Sequence, residues 1–307
     1  MTTTAPVFHI GYPKTATTFL QRQIFGQEAY GLALAGGTNS RAHLVDAFIL
    51  SDGYGFDPQA TAARLTALEQ DQRAAGLLPI WSEEVLLGDP LANRYDGHAN
   101  ATRIAACFPN ARILITIREQ KAMVLSMYRQ YSNQGGQAPL RHFIGTGQEP
   151  MSFSPILRDG FLLFDRAVRF YQTLFGKENI LVLPQEMLNT APQDYLHRLG
   201  AFLGRDLVPA PPPGRDNPGL GLPAVRLNTV LNRLVLRNPL TGHQNRIWTL
   251  KAKAVRGIDK ITPSAMKARM ETHFCNEIQA RYGDSFGDSN RRLSEMTGLP
   301  LQRFGYF

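Results

Sequence analysis

The chain has 307 residues, of which 43% are hydrophobic and 19% are charged. This composition is typical of a globular protein of one or two domains, and it excludes a disordered or fibrous one. The net charge of +8 comes entirely from residues 205–307, which hold 16 Lys and Arg against 8 Asp and Glu, whereas residues 1–204 hold 17 of each. A positive field in the last third favours an anionic ligand or an anionic lipid surface.

The sparse cysteines and the absence of targeting features indicate a cytoplasmic chain. Cys107 and Cys275 belong to no CxxC or Cys/His cluster, which argues against a disulfide framework or a structural zinc site. The first residues lack the pattern of a signal peptide, and no apolar run approaches the ~18 residues of a membrane span. Zinc-finger, basic-zipper and RNA-binding motifs are missing as well, so we expect no nucleic-acid partner.

The hydrophobic pattern alternates between strands and helices along most of the chain. In chain order it predicts strand 7–10, a helix through 19–25, helix 57–75, strand 77–81, helix 96–108, strand 112–117, a helix from 118 to about 131, helix 160–175, strand 180–184, and helices 192–203, 224–237 and 264–282. Such alternation predicts an α/β fold, a P-loop-like parallel β-sheet flanked by helices on both faces, with a helical C-terminal part.

Polar residues follow three of these predicted strands directly. They lie at 11–18, 82–84 and 118. Because ligands of parallel sheets bind at the carboxyl ends of the strands, we expect the three groups to converge on one crevice.

The first of these groups is an anion-binding loop between a strand and a helix. Residues 11–18 read GYPKTATT, and backbone N–H groups at a helix start favour a phosphate. Lys14 adds a mobile charge, and Thr15, Thr17 and Thr18 add hydroxyl donors. The loop is not a Walker A motif, because GxxxxGK[ST] is absent.

Three segments resemble one family of enzymes. GYPKTATTFL at 11–20 resembles the 5′-phosphosulfate-binding loop of sulfotransferases that use 3′-phosphoadenylyl sulfate (PAPS), in particular bacterial members that act on carbohydrates. ILITIREQKAMVLSMY at 113–128 resembles the strand and helix that carry an arginine and, eight residues later, a serine; here these are Arg118 and Ser126. Residues 164–204 resemble the family's helix, strand, acidic turn and helix ending in FLG.

The resemblance implies a role for each residue of the cofactor site. Lys14 would stabilise the leaving oxygen, while Thr15, Ala16, Thr17 and Thr18 would hold the 5′-phosphate. Arg118 and Ser126 would hold the 3′-phosphate, for which the fork of an arginine is suited. Cytosolic members have an Arg-Lys-Gly segment that closes over the 3′-phosphate. This sequence lacks that segment, and Arg215 is the candidate to take its place. No metal is expected, and a single domain follows, with a cofactor-binding core at 1–204 and a basic part at 205–307 that shapes the acceptor site.

Glu83 is the predicted general base, and Glu84 and His98 are the alternatives. Alignment of the third apolar strand places Glu83 where small-molecule members have a histidine, while carbohydrate-acting members often use a glutamate. Glu84 is its neighbour and would point the other way on an extended segment. His98 is the third candidate.

An acidic base favours a carbohydrate or glycolipid hydroxyl as the acceptor. Residues 225–237 form an amphipathic helix candidate on which Arg226, Arg233 and Arg237 share a ~40° arc, either as a solvated face or as a contact with an anionic membrane. Two other functions stay open at this point. A P-loop-like kinase would need a strand-end Asp for magnesium where Arg118 stands, and a non-catalytic nucleotide-binding protein would not need Lys14 and Glu83.

Overall fold

The computed structural model describes residues 5–207, 219–235 and 246–307. The chain packs as two compact units. The first contains 1–119, 163–214 and 286–307, and the second contains 120–162 and 215–285. Residues 120–162 thus belong with the C-terminal helices, and the last 22 residues belong to the first unit. The single domain with a cofactor-binding core at 1–204 stays a prediction.

Within the described residues, the first unit is built on one sheet of five parallel strands. The strands are β1 (Val7–His9), β2 (Leu32–Leu34), β3 (Leu78–Ser82), β4 (Arg112–Ile117) and β5 (Ile180–Pro184). Their order is β2-β3-β1-β4-β5, with His9 beside Ser82 on one side and beside Leu114 on the other. The predicted parallel α/β fold is therefore confirmed.

The helices of the first unit connect and cover these strands. They are α1 (Thr17–Phe19) with a π-helical continuation (Leu20–Phe25), α2 (Ser40–Leu44) with a π-helical continuation (Val45–Ile49), α3 (Pro58–Ala67), α4 (Gln70–Ala74), α5 (Gly97–Cys107), α8 (Phe164–Phe175), α9 (Gln185–Thr190), α10 (Pro192–Leu203) and α14 (Gly287–Thr297). Short 3₁₀ turns occupy Glu28–Tyr30, Gly37–Asn39, Glu84–Leu87, Pro90–Ala92, Lys177–Asn179 and Leu301–Phe304.

Both faces of the sheet are buried, as alternation along β1 shows. Val7 lies in an apolar cluster that includes Ile24 of the first helix and Leu199 of α10. Phe8 faces the other way, where its ring lies 6.2 Å from that of Phe48 and 5.6 Å from that of Phe108. Helical layers on both faces explain why the strands read as near-continuous apolar runs.

The second unit is helical in its described part. It contains α6 (Gln120–Asn133), α7 (Leu140–Ile144), a 3₁₀ turn (Asp159–Leu162), α11 (Leu222–Leu231), α12 (Arg246–Ile261) and α13 (Ser264–Tyr282). Helix α6 packs on α11 through a buried polar group, in which Ser132 Oγ donates to the carbonyl of Val225 at 3.0 Å and the Asn228 amide donates to the carbonyl of Ser132 at 2.9 Å. Among the described helices of both units, none has the length and apolarity needed to cross a bilayer.

Candidate functional site

The strand order places the expected crevice at the carboxyl ends of β1 and β4. From β1 the chain moves to one side of the sheet, where it forms β2 at the edge and then β3 beside β1, and it next forms β4 and β5 on the other side. Adjacent strands whose connections leave in opposite directions mark the usual ligand site of an open parallel sheet. The Lys14 loop follows β1 and Arg118 follows β4, so the sequence places both at this crevice.

The Lys14 loop has a backbone that ordinary residues rarely adopt. Lys14 and Ala16 have φ of 68° and 63°, although neither is a glycine. Each such residue costs on the order of 1 kcal/mol, and strain of this kind persists where a surrounding structure fixes it. Successive N–H groups of such a loop form a concave donor surface that suits an anion.

A buried hydrogen-bond network fixes this loop from below. Thr15 Oγ1 donates to the carbonyl of Tyr12 at 2.6 Å and lies 2.7 Å from Thr116 Oγ1. Because Thr15 donates its only hydroxyl proton to the Tyr12 carbonyl, the Thr116 hydroxyl must donate to Thr15. The Thr116 oxygen in turn accepts from His9 Nε2 at 3.1 Å. His9 Nδ1, then an acceptor, takes the hydroxyl proton of Ser82 at 2.8 Å.

This network requires a neutral imidazole and a glycine beneath the loop. Burial lowers the pKa of His9 from 6.5 to about 3, and protonated Nδ1 would face a hydroxyl that already donates to it. A Cβ at Gly11 would lie 1.8 Å from Thr116 Oγ1 and 3.0 Å from His9 Nε2, so only glycine fits there. The Thr15 hydroxyl, which was predicted to hold the 5′-phosphate, is thus hydrogen-bonded to Tyr12 and Thr116 within the protein.

Arg118 lies beside Lys14, as the crevice requires. Its Nη1 donates to the backbone carbonyl of Lys14 at 3.3 Å. Burial lowers the pKa of Lys14; the charge of Glu84 opposes that lowering, and the charge of Arg118 adds to it. The Arg118 side chain therefore contacts the backbone of the Lys14 loop, although about a hundred residues separate the two in sequence.

Glu186 and Tyr306 support the tip of β4. Glu186 accepts from the backbone N–H of Glu119 at 3.0 Å and from the Tyr306 hydroxyl at 3.0 Å. Burial raises the pKa of Glu186, and the nearby Arg118 charge opposes that rise. The Glu186 carboxylate thereby connects the end of β4 to the C-terminal segment, next to Arg118.

Of the two adjacent glutamates, Glu84 faces the Lys14 loop. Glu84 Oε2 accepts from the Thr17 hydroxyl at 3.3 Å. The pKa of Glu84 is raised mainly by burial and next by Glu83, while Lys14 and Thr17 oppose the rise. Its carboxylate is thus basic and lies next to the cation of the loop.

Glu83 is hydrogen-bonded to Arg41 and to the turn that follows β3. Glu83 is still extended, but Glu84 begins the 3₁₀ turn, so the two side chains diverge. Glu83 Oε1 accepts from Arg41 Nη1 at 2.9 Å and from the Val85 N–H at 3.2 Å, as the cap of that turn. Burial raises the pKa of Glu83, and Arg41 opposes the rise.

The remaining candidates from the sequence lie apart or stay untested. His98 is exposed in the first turn of α5, where its ring stacks on Phe170 with centroids 4.2 Å apart. Thr18 is exposed in α1. Ser126 is half-buried on α6 of the second unit, so its pairing with Arg118 of the first unit stays a prediction, and Arg215 and Arg237 lie outside the described residues. In the described ranges, no group of three or more His, Cys, Asp or Glu is arranged to hold a metal ion.

Sequence reasoning missed the residues that support the loop, although the sequence contains a trace of them. His9, Thr116 and Ser82 are polar residues near the ends of three otherwise apolar strands, and β-pairing places His9 beside Ser82. A polar residue in such a strand needs a buried partner. Glu186 and Tyr306 are brought together by tertiary structure, across 120 residues.

Comparisons with known proteins return structural matches only. No family model matches the sequence, and no curated protein matches it. The described fold is similar to a sulfotransferase from Alicyclobacillus acidocaldarius (16% identity, TM-score 0.48, covering 80% of this chain and 99% of that one). It is also similar to the sulfotransferase domain of the Synechococcus PCC 7002 olefin synthase (15%, 0.42, 90% and 96%) and to that of the curacin biosynthetic pathway (15%, 0.39, 67% and 76%). Similarity at this level does not establish a shared activity.

Proposed function

We propose that this chain is a sulfotransferase that moves a sulfuryl group from PAPS to a hydroxyl group of an acceptor. The observation that supports the proposal is the hydrogen bond from the Arg118 side chain to the backbone carbonyl of Lys14, at the carboxyl ends of β4 and β1. The resemblance of the loop and of the β4 segment to PAPS-binding elements supports the same assignment.

The groups at this edge fit an anionic nucleotide. The loop offers backbone N–H groups in a strained, fixed conformation, and Lys14 and Arg118 supply positive charge. When bound, PAPS supplies the sulfuryl group and a phosphate as the leaving group. Residues 14–18 would hold the 5′ side, mainly through backbone N–H groups, and Arg118, with Ser126 and Arg215 as further candidates, would hold the 3′-phosphate.

Lys14 and Glu84 would carry the chemistry. Negative charge grows on the leaving oxygen during transfer, and a cation fixed at that position lowers the barrier. Burial lowers the pKa of Lys14, which makes it a competent proton donor as well. Glu84 would accept the proton of the attacking hydroxyl, because it faces the loop and its raised pKa brings it closer to neutrality. Glu83 remains the alternative base, and Arg41 would then have to release it.

The acceptor we propose is a carbohydrate or glycolipid hydroxyl, encountered in the cytoplasm or at its membrane surface. A carboxylate base rather than a histidine motivates this choice, together with the excess of positive charge in residues 205–307.

The test is transfer from radiolabelled PAPS to a panel of glycans, glycolipids and phenols. We expect wild type to label at least one glycan or glycolipid, and Lys14→Ala to reduce labelling by ~100-fold or more. Lys177→Ala, a matched control at an exposed lysine of the first unit, retains the wild-type rate. Magnesium-dependent turnover of ATP with no PAPS turnover would identify a kinase instead, and nucleotide binding without transfer to any acceptor would identify a binding protein.

A further inference from the structure

Helix α12 of the second unit carries an apolar stripe on its exposed side. At ~100° per residue, Leu250, Ala254, Ile258 and Ile261 fall within an arc of ~80°. The three large side chains are 70%, 42% and 80% exposed, respectively. Because single exposed apolar residues are common but aligned ones are not, a stripe along about three turns of helix calls for a partner.

A different face of α12 packs into the unit. Trp248 and Val255 are buried. Asp259 accepts from the Gly221 N–H at 3.0 Å and pairs with Lys267 at 3.2 Å. The centre of the exposed stripe lies about 120° from the centre of this packed face, so the described core of the unit does not account for it.

Cations line one edge of the stripe. Arg246, Lys253, Lys260 and Arg256 are exposed and fall within a second arc of ~80° that begins next to Leu250. The single acidic residue of α12 is Asp259, which is half-buried and engaged on the packed side. The exposed side of α12 is therefore apolar and basic, with no carboxylate to balance it.

This charge pattern selects one class of partner. A phospholipid surface offers an apolar interior to the stripe and anionic headgroups to the cations, within one contact. A second copy of this chain, paired stripe to stripe, would instead bring two basic edges close together. The helix at 222–231 presents a less complete surface, because its Arg226 and Val230 are exposed but Val225 and Thr229 are buried.

We propose that α12 docks this chain reversibly onto an anionic phospholipid surface. The stripe enters the boundary between headgroups and acyl chains, and the four cations contact headgroup phosphates. The proposal goes beyond sulfuryl transfer and does not rest on it, since it concerns residues of α12 alone.

The test is partitioning of the full chain onto vesicles of phosphatidylcholine with 30% phosphatidylserine, measured by co-sedimentation. Leu250→Asp places a charge in the stripe, and Leu50→Asp is its matched control, because Leu50 is 72% exposed in the first unit. A triple variant in which Lys253, Arg256 and Lys260 are changed to Gln tests the basic edge. Their control is the triple change of exposed Lys177, Arg198 and Arg303 to Gln, which removes the same net charge.

We expect wild type to bind at low salt and to dissociate as salt rises, since screening shortens the reach of surface charge to about 3 Å at 1 M. Leu250→Asp and the α12 triple variant should each weaken partitioning at least ~10-fold, and both controls should bind like wild type. Ile261→Asp, at the end of the helix, replaces Leu250→Asp if circular dichroism shows the latter unfolded.

Three results would overturn the proposal. The first is the absence of wild type from vesicles at low salt, and the second is equal binding by Leu250→Asp and Leu50→Asp. The third is a dimer in analytical ultracentrifugation that Leu250→Asp dissociates, without vesicle binding. The last result would assign the stripe to an interface between copies of this chain.

Discussion

The buried His9 should make the folded chain less stable in acid. The imidazole is fully buried, and its pKa is lowered to about 3, against 6.5 for an unperturbed histidine. The unfolded chain therefore binds a proton at His9 below pH 6.5 while the folded chain does not, so stability falls as the pH drops from 6.5 toward 3. Between pH 7.5 and 4.5 the loss from this one residue is about 2–3 kcal/mol, since two pH units below 6.5 count at 1.36 kcal/mol each.

The assay is urea unfolding at several pH values, with wild type and His9→Gln compared. Carboxylates also contribute to acid unfolding, so the difference between the two pH profiles isolates His9. We expect His9→Gln to be less stable at pH 7.5 and to show a shallower profile below 6.5, whereas His197→Gln, at an exposed position on α10, keeps the wild-type slope. Parallel profiles for wild type and His9→Gln would refute the neutral buried imidazole and the network built on it.

Two further predictions concern the edge of the sheet. Glu84→Gln should lower the transfer rate ~100-fold or more and leave nucleotide binding intact, whereas Glu83→Gln should act mainly on thermal stability. In wild type the transfer rate should rise with pH through a pKa above the ordinary 4.5, because burial raises the pKa of Glu84. Equal rate losses in both variants would contradict this division. Ala16→Gly should raise stability slightly, by up to about 1 kcal/mol in urea unfolding, because Ala16 has φ of 63°. Its control Ala201→Gly, inside α10, should lower stability by about 1 kcal/mol, and the same sign for both would exclude strain at Ala16.

The longer periodic segments of the fold were predictable. Strands β1, β3, β4 and β5 and the helix at 192–203 lie where the apolar pattern places them, within a few residues. Strand β2 was missed because its three residues are too few to show a period. The predicted helix at 57–75 is interrupted between Ala67 and Gln70. Helices α12 and α14 were missed as well.

The site was predictable where a strand end determines it. Lys14 and Arg118 each follow a strand of a parallel sheet, and such ends meet at one edge, so their proximity follows from the topology. The choice between Glu83 and Glu84 did not follow, because it depends on the residue at which β3 gives way to a 3₁₀ turn, and helix boundaries are the least determined part of a sequence pattern. The prediction assumed that the extended strand continues through Glu84, but the strand conformation ends at Glu83.

The central claim is that Lys14 and Arg118 bind one nucleotide that carries phosphates at its 3′ and 5′ positions. The direct measurement is calorimetric titration with adenosine 3′,5′-bisphosphate and with adenosine 5′-monophosphate, for wild type, Lys14→Ala, Arg118→Ala and the control Arg198→Ala. We expect Lys14→Ala to weaken both ligands ~10-fold or more, and Arg118→Ala to weaken the bisphosphate by that factor while nearly sparing the monophosphate. Bisphosphate binding that is unchanged in both variants, or an Arg118→Ala variant that loses both ligands equally, would contradict the claim.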